Sequence, residues 1–218
     1  PMLFSKKSNY KSIGEFIIGF SFLFMGLDYI GQNVPDLKSS PEIFAFLQDY
    51  ASRGFASVMI FVAAGLVVTM IIQSSAATFA IVLIMCSKGW IPFDMACAMV
   101  LGSNIGTTIT PILAALSGNI AARKAALGHF LFNFFGTIWT VIAFFPFVAL
   151  IVWITEHLGQ GDPNALVSYV GNLEQTDPAA YQAALAGTLP SNSEVMRNIL
   201  HLQFAVSFGL SMFHTVFN

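Results

Sequence analysis

Apolar residues in this chain fall into long runs broken by short polar interruptions. Residues 55–72 and 125–154 contain no Asp, Glu, Lys or Arg. A helix needs about 20 apolar residues to cross the hydrocarbon core of a bilayer. The pattern predicts a helix over residues 12–30, which carries Glu15 and Asp28, membrane helices over 55–72 and 195–218, and a long span over 125–154 with a kink at Pro146. Shorter apolar arms over 79–85, 93–101 and 109–116 flank a SKGWIP turn at 87–92 and a polar turn at 117–124. Residues 33–41 read as a loop, and PEIFAFLQDY at 41–50 reads as a short amphipathic stretch in the membrane interface. Residues 155–193 carry Glu156, Asp162, Glu174 and Asp177 without any Lys or Arg, as an aqueous loop does.

Four segments follow: a basic start (1–11), a membrane repeat (12–154), a polar extracytoplasmic loop (155–194) and a C-terminal transmembrane helix (195–218). Arg123 and Lys124 place the turn before the long span on the cytoplasmic side. The expected fold class is an all-α, multi-pass membrane protein with broken-helix or re-entrant hairpins, located in the plasma (inner) membrane. Composition agrees. Apolar residues make up 56% and charged residues 9% of the chain, against roughly 25% charged in soluble domains. A formal net charge of −2 gives no reason to expect nucleic acid as a partner. Cys86 and Cys97 lie in apolar sequence with neither metal nor disulfide spacing, and read as small core residues. The chain opens at Pro1 and stops at Asn218 inside an apolar run, so it is expected to be part of something longer.

Two interruptions carry the candidate chemistry: QSSAAT at 73–78 and GSNIGTT at 102–108. Each lies where a membrane helix should continue, each is rich in hydroxyls and amides, and neither holds a charge. Gly102 and Gly106 are expected to loosen the backbone further. Non-helical backbone at such depth is tolerated only inside protein or against a cavity. Transporters use such breaks to aim helix N-termini at anions and unwound carbonyls at cations. The hydroxyls of Ser74 and Ser75 can donate to an oxyanion, and the Gln73 amide can donate or accept. This suits a small anion such as inorganic phosphate. The motifs offer dipoles alone, and burying a phosphate dianion without positive charge is prohibitive. Sodium, a hard cation suited to Ser, Thr and Asn oxygens, would supply that charge as the coupling ion, and each ion would then raise the affinity of the other. The competing explanation is packing, because the same residue types glue membrane helices together. That leaves a non-catalytic helix-packing or assembly subunit as the alternative function.

HFLFN at 129–133 recurs as HTVFN at 214–218, which puts His, Phe and Asn on one helix face in each copy. His129, Asn133 and His214 read as polar groups packed between helices. The histidines show no metal-ligand spacing. Glu15 is expected to pair with Lys11 or to be solvated, Asp28 to lie at an interfacial helix end, and Trp90 and Trp153 to join interface belts.

QSSA at 73–76, GSNIGTT at 102–108, Arg123 and HFLFN follow one another in an order that resembles the sodium–phosphate cotransporter family, including the animal type II cotransporters and bacterial relatives. The resemblance is close over about residues 12–150, weakens through the polar loop and returns at FHTVFN (213–218). It implies two inverted repeats, each giving one QSS hairpin, with phosphate and sodium between them. This chain shows one QSS and matches the second repeat. Its partner would be the missing N-terminal repeat or a second copy of the chain. The resemblance places phosphate at Gln73, Ser74, Ser75 and Asn104, and sodium near Thr78, Ser103, Asn104, Thr107 and Thr108. It implies symport by alternating access, with no cofactor beyond sodium and no enzymatic step. Ala76 stands where the family has a third serine, so no hydroxyl contact is expected there.

Overall fold

A computed structural model describes residues 8–33, 49–51 and 53–218. The first residues of the basic start, and most of the 33–41 loop and the 41–50 interfacial stretch, lie outside the described residues. The chain divides into two compact units, residues 1–39 and 40–218. In the first, α1 (Ser8–Asn33) runs for 26 residues. Lys11 Nζ lies 4.0 Å from Glu15 Oε1 on its exposed side, one helical turn apart. Phe16, Phe20 and Phe24 meet in sequence along it, with ring centroids 5.9 and 4.7 Å apart. Asp28 is exposed near its end.

The second unit is also helical, and no strand occurs among the described residues. Its elements are α2 (Phe55–Ile72), α3 (Ser75–Ser87), α4 (Phe93–Gly106), α5 (Ile109–Leu116), α6 (Ile120–Ile142), α7 (Phe144–His157), α8 (Ala165–Thr176), α9 (Pro178–Leu185) and α10 (Glu194–Phe217). Four stretches are long and apolar enough to cross a membrane: α2, α4 with α5, α6 and α10. The outer face of α6 exposes Leu127, Phe132, Phe135, Trp139 and Ile142. A row of large apolar side chains of this kind needs lipid or protein against it.

α4 forms the centre, with 12 of its 14 residues buried. Helices α2, α3, α6 and α10 pack around it. Both cysteines are free and buried in this core. The turn before α4 forms as its sequence suggests. Gly89, at φ 69°, closes α3 while the Trp90 and Gly89 N–H groups donate to the Met85 and Cys86 carbonyls, both at 2.9 Å. This is the pattern in which a left-handed glycine satisfies the last carbonyls of a helix. Trp90 is buried rather than placed on an exposed belt, with Lys88 Nζ 5.0 Å from its ring centroid. Trp153 is exposed.

Three further features differ from the sequence expectation. The stretch 155–193 is not simply a loop: α7 runs on to His157, and α8 and α9 follow. Leu166, Val170 and Leu173 recur at i, i+4, i+7, and this apolar stripe buries Leu166 and Leu173. The long span does break near Pro146, but at Ala143, three residues ahead of it. The third difference concerns GSNIGTT. Its glycines do not loosen α4, which stays helical through Gly106. The pause falls at Thr107 and Thr108, both still in the right-handed helical region. Pro111 has no N–H to offer the Thr107 carbonyl, and this interrupts the ladder there.

Candidate functional site

The two polar motifs use their residues in opposite ways. QSSAAT is a true break. Helix α2 ends when Gln73 turns left-handed (φ 57°, ψ 26°), with its N–H held by the Thr69 carbonyl at 2.7 Å. Gln73 is the one non-glycine residue with positive φ among the described residues. That conformation costs an L-residue about 1 kcal/mol or more, and strain of this kind gathers at functional positions. Ser74 is extended and caps α3, its Oγ accepting the Ala77 N–H at 3.2 Å. Two consequences follow for the chemistry. The Ser74 hydroxyl keeps its own proton to donate, and the Ser75 and Ala76 N–H groups have no carbonyl partner within their helix. The positive end of the α3 dipole adds to these donors. Gln73 is exposed, and Ser74 and Ser75 are half-buried.

GSNIGTT instead packs. A Cβ on Gly102 would collide with the Val62 carbonyl oxygen, and one on Gly65 would collide with the Met99 carbonyl oxygen. A Cβ on Gly106 would lie 2.7 Å from the Leu66 carbonyl oxygen and 2.8 Å from Thr69 Cβ. The backbones of α2 and α4 therefore touch over two turns, which only glycine permits. Moving four residues along α4 moves the contact four residues along α2, so the two helices run in the same direction. This brings the C-terminal end of α4 beside Thr69, one turn before the QSS break.

Thr69 was not singled out from the sequence, because a lone Thr in an apolar run gives no signal. It is fully buried. Its Oγ1 lies 2.8 Å from the Gly65 carbonyl oxygen and 3.0 Å from Thr78 Oγ1, and the Thr78 hydroxyl reaches the Ser74 carbonyl at 3.1 Å. Thr78 is itself fully buried.

Ser103 donates to the Val100 carbonyl at 2.8 Å and Thr108 to the Ile105 carbonyl at 2.7 Å. Their protons are thus committed and their oxygens are left as acceptors, which is cation chemistry rather than anion chemistry. Ser103 and Thr108 are buried, and Thr107 is half-buried. Asn104 is 5% exposed, and its Nδ2 is a buried donor with no partner. Such a group loses its hydration with nothing in return. Two residues from Gly106, it is turned by about 200° and so faces away from α2. Thr69 is the link between Gly106 on α4 and the Gln73 N–H and Thr78 hydroxyl at the break, and Asn104 faces away from it. Helix α6 also packs on α4, where buried Thr137 donates to the Leu101 carbonyl at 3.4 Å.

The repeated HxxFN motifs share a local geometry. Asn133 Nδ2 donates to the His129 carbonyl at 3.0 Å, and Asn218 Nδ2 to the His214 carbonyl at 2.9 Å. Asn133 is buried and His129 exposed. His214 is half-buried, its ring 5.4 Å from that of Phe79, four residues beyond Ser75. Arg123 is exposed and donates to the Leu116 carbonyl at 3.0 Å, closing the C-terminal end of α5.

Four stretches long and apolar enough to cross a membrane, with no strand among the described residues, make this an all-α membrane protein. Residues 42–154 match the Na+/Pi-cotransporter family, and the chain belongs to that family. Among its relatives is the uncharacterized protein YqeW of Bacillus subtilis, 30% identical over 162 residues that cover 73% of this chain and 49% of YqeW. Human sodium-dependent phosphate transport protein 2C is 38% identical over 103 residues, 45% of this chain and 17% of that protein. Escherichia coli YjbB, whose name speaks of inorganic phosphate export, is 28% identical over 146 residues, 67% of this chain and 25% of YjbB. The chain thus spans about half of YqeW and a quarter or less of the other two. No solved structure matches. The family is one of membrane transporters, and phosphate transport is its general activity.

Proposed function

We propose that this chain supplies one half of the binding site of a sodium-coupled phosphate symporter working by alternating access in the plasma (inner) membrane. The observation that carries the reading is the break at Gln73–Ser74, where a strained residue and a capping serine expose helix donors inside apolar sequence. Gln73, Ser74 and Ser75 offer donors to phosphate. Thr78, Ser103, Thr107 and Thr108 offer oxygens to sodium. Asn104 offers a further unfilled donor to an oxyanion, on the side of α4 turned away from the QSS break. The other half of the site is a further repeat, or a second copy of this chain. His129, Asn133 and His214 support the helices. No covalent step is involved, so the reading is of a transporter and not an enzyme. Residues 155–194 lie on the extracytoplasmic side, opposite Arg123. The direction of net flux then follows from the ion gradients.

The expected outcome in the intact protein is that Ser75→Ala and Asn104→Ala each abolish sodium-dependent phosphate uptake into proteoliposomes while membrane insertion is unchanged. Normal uptake by both would refute the assignment. One observation favours packing at a single position: Asn104 faces away from α2, the helix that ends at the break. Under that reading Asn104→Ala lowers stability and leaves uptake per folded molecule intact.

A further inference from the structure

We propose that Thr69 is a positioning residue whose hydroxyl couples cation binding beside Thr78 to the shape of the QSS break. The proposal rests on the transport reading above, and no family motif quoted for this chain includes Thr69. A hydroxyl carries one proton, yet Thr69 Oγ1 stands within hydrogen-bond distance of both the Gly65 carbonyl and Thr78 Oγ1. Thr78 Oγ1 in turn stands within reach of the Ser74 carbonyl.

Two proton arrangements satisfy these distances. In one, Thr69 donates to Thr78 and Thr78 donates to the Ser74 carbonyl. In the other, Thr69 donates to Gly65 and Thr78 donates back to Thr69, which leaves the Ser74 carbonyl with the Thr78 N–H at 3.0 Å and one lone pair open. A cation near Thr78 repels the proton that points at Ser74 and draws on that carbonyl, so it favours the second arrangement. Ser74 is also the cap of α3. The state of the hydroxyl pair is therefore felt where the anion donors lie. Both hydroxyls are fully buried, and the Gly106 backbone closes against the Thr69 side chain. Water does not substitute for either partner, and the pair is a discrete two-state element of the kind that coupling requires.

The test uses the intact protein in proteoliposomes and reads the phosphate KM at low and at high sodium. Thr69→Val keeps the shape and removes the hydroxyl, and is expected to shrink the sodium-induced change in KM by about tenfold, the worth of one well-formed hydrogen bond. Thr69→Ser keeps the hydroxyl and is expected to retain the wild-type change. If the valine protein does not reach the membrane, Thr69→Cys gives the same comparison, since a thiol is a poor donor of similar size. A wild-type KM change in the valine or cysteine variant overturns the proposal, as does equal loss in the serine variant. A merely structural role would lower Vmax in proportion to folded protein and leave the KM change alone. Absence of sodium-dependent uptake by the wild-type protein would instead sink the transport reading itself.

Discussion

QSSAAT and GSNIGTT have the same kind of composition and opposite structures. The first breaks its helix, and the second stays in register and lets two backbones touch. The difference lies in the backbone of the first and in the partner helix of the second. Gln73 turns left-handed at the end of its helix, and Ser74, extended, caps the next one. Gly102 and Gly106 face α2 with Gly65 set opposite, so their lack of a side chain serves approach rather than flexibility. A glycine in a membrane helix has both uses, and only the partner helix decides between them.

If this contrast is right, its two sides fail in different assays. The largest effect is expected from Gly102→Ala. The new methyl would enter the Val62 carbonyl, and the α2–α4 pair must separate. Overpacking against backbone costs about 3 kcal/mol, and the thermal midpoint of the purified protein should fall accordingly. An unchanged midpoint would mean the two helices do not touch as described.

Asn104→Leu sharpens the comparison from the other direction. It replaces an unpartnered buried donor with an apolar group. Unfolding should become harder by about 1 kcal/mol, while uptake is lost. Gain of stability with loss of activity marks a group kept for a ligand, and loss of stability with uptake per folded molecule intact marks a packing residue.

At the break, Ser74→Ala removes the Ala77 cap and should cost about 1 kcal/mol. Ser74→Asp should restore the cap, yet its charge should repel an oxyanion. Stability should therefore return in the aspartate variant while phosphate uptake does not. The smallest effect is expected at Arg123, exposed on the turn before α6. Arg123→Gln should change the thermal midpoint by the equivalent of ~0.5 kcal/mol or less.

Much of this was legible in the sequence. The membrane class followed from charge-free runs such as 55–72, and the QSS break from its polarity within them. The family followed from the order of its motifs. Three features were hidden. The role of Gly102 and Gly106 depends on Gly65 and on the direction of α2, which no local pattern encodes. Thr69 stands alone among apolar residues, and its importance appears only when Thr78 folds back onto it. Helix α8 did leave a trace, in the spacing of Leu166, Val170 and Leu173, but polar composition masked it.

The central claim is that an uncharged pocket at the break holds phosphate only when sodium neutralises it. Thermal unfolding of the intact protein, with phosphate added in sodium and separately in choline, tests this directly. A ligand at about 100 times its dissociation constant stabilises by roughly 2.7 kcal/mol. The account predicts a raised midpoint with sodium and phosphate together and none with phosphate in choline. Equal protection in choline, or no protection in either salt, would contradict it.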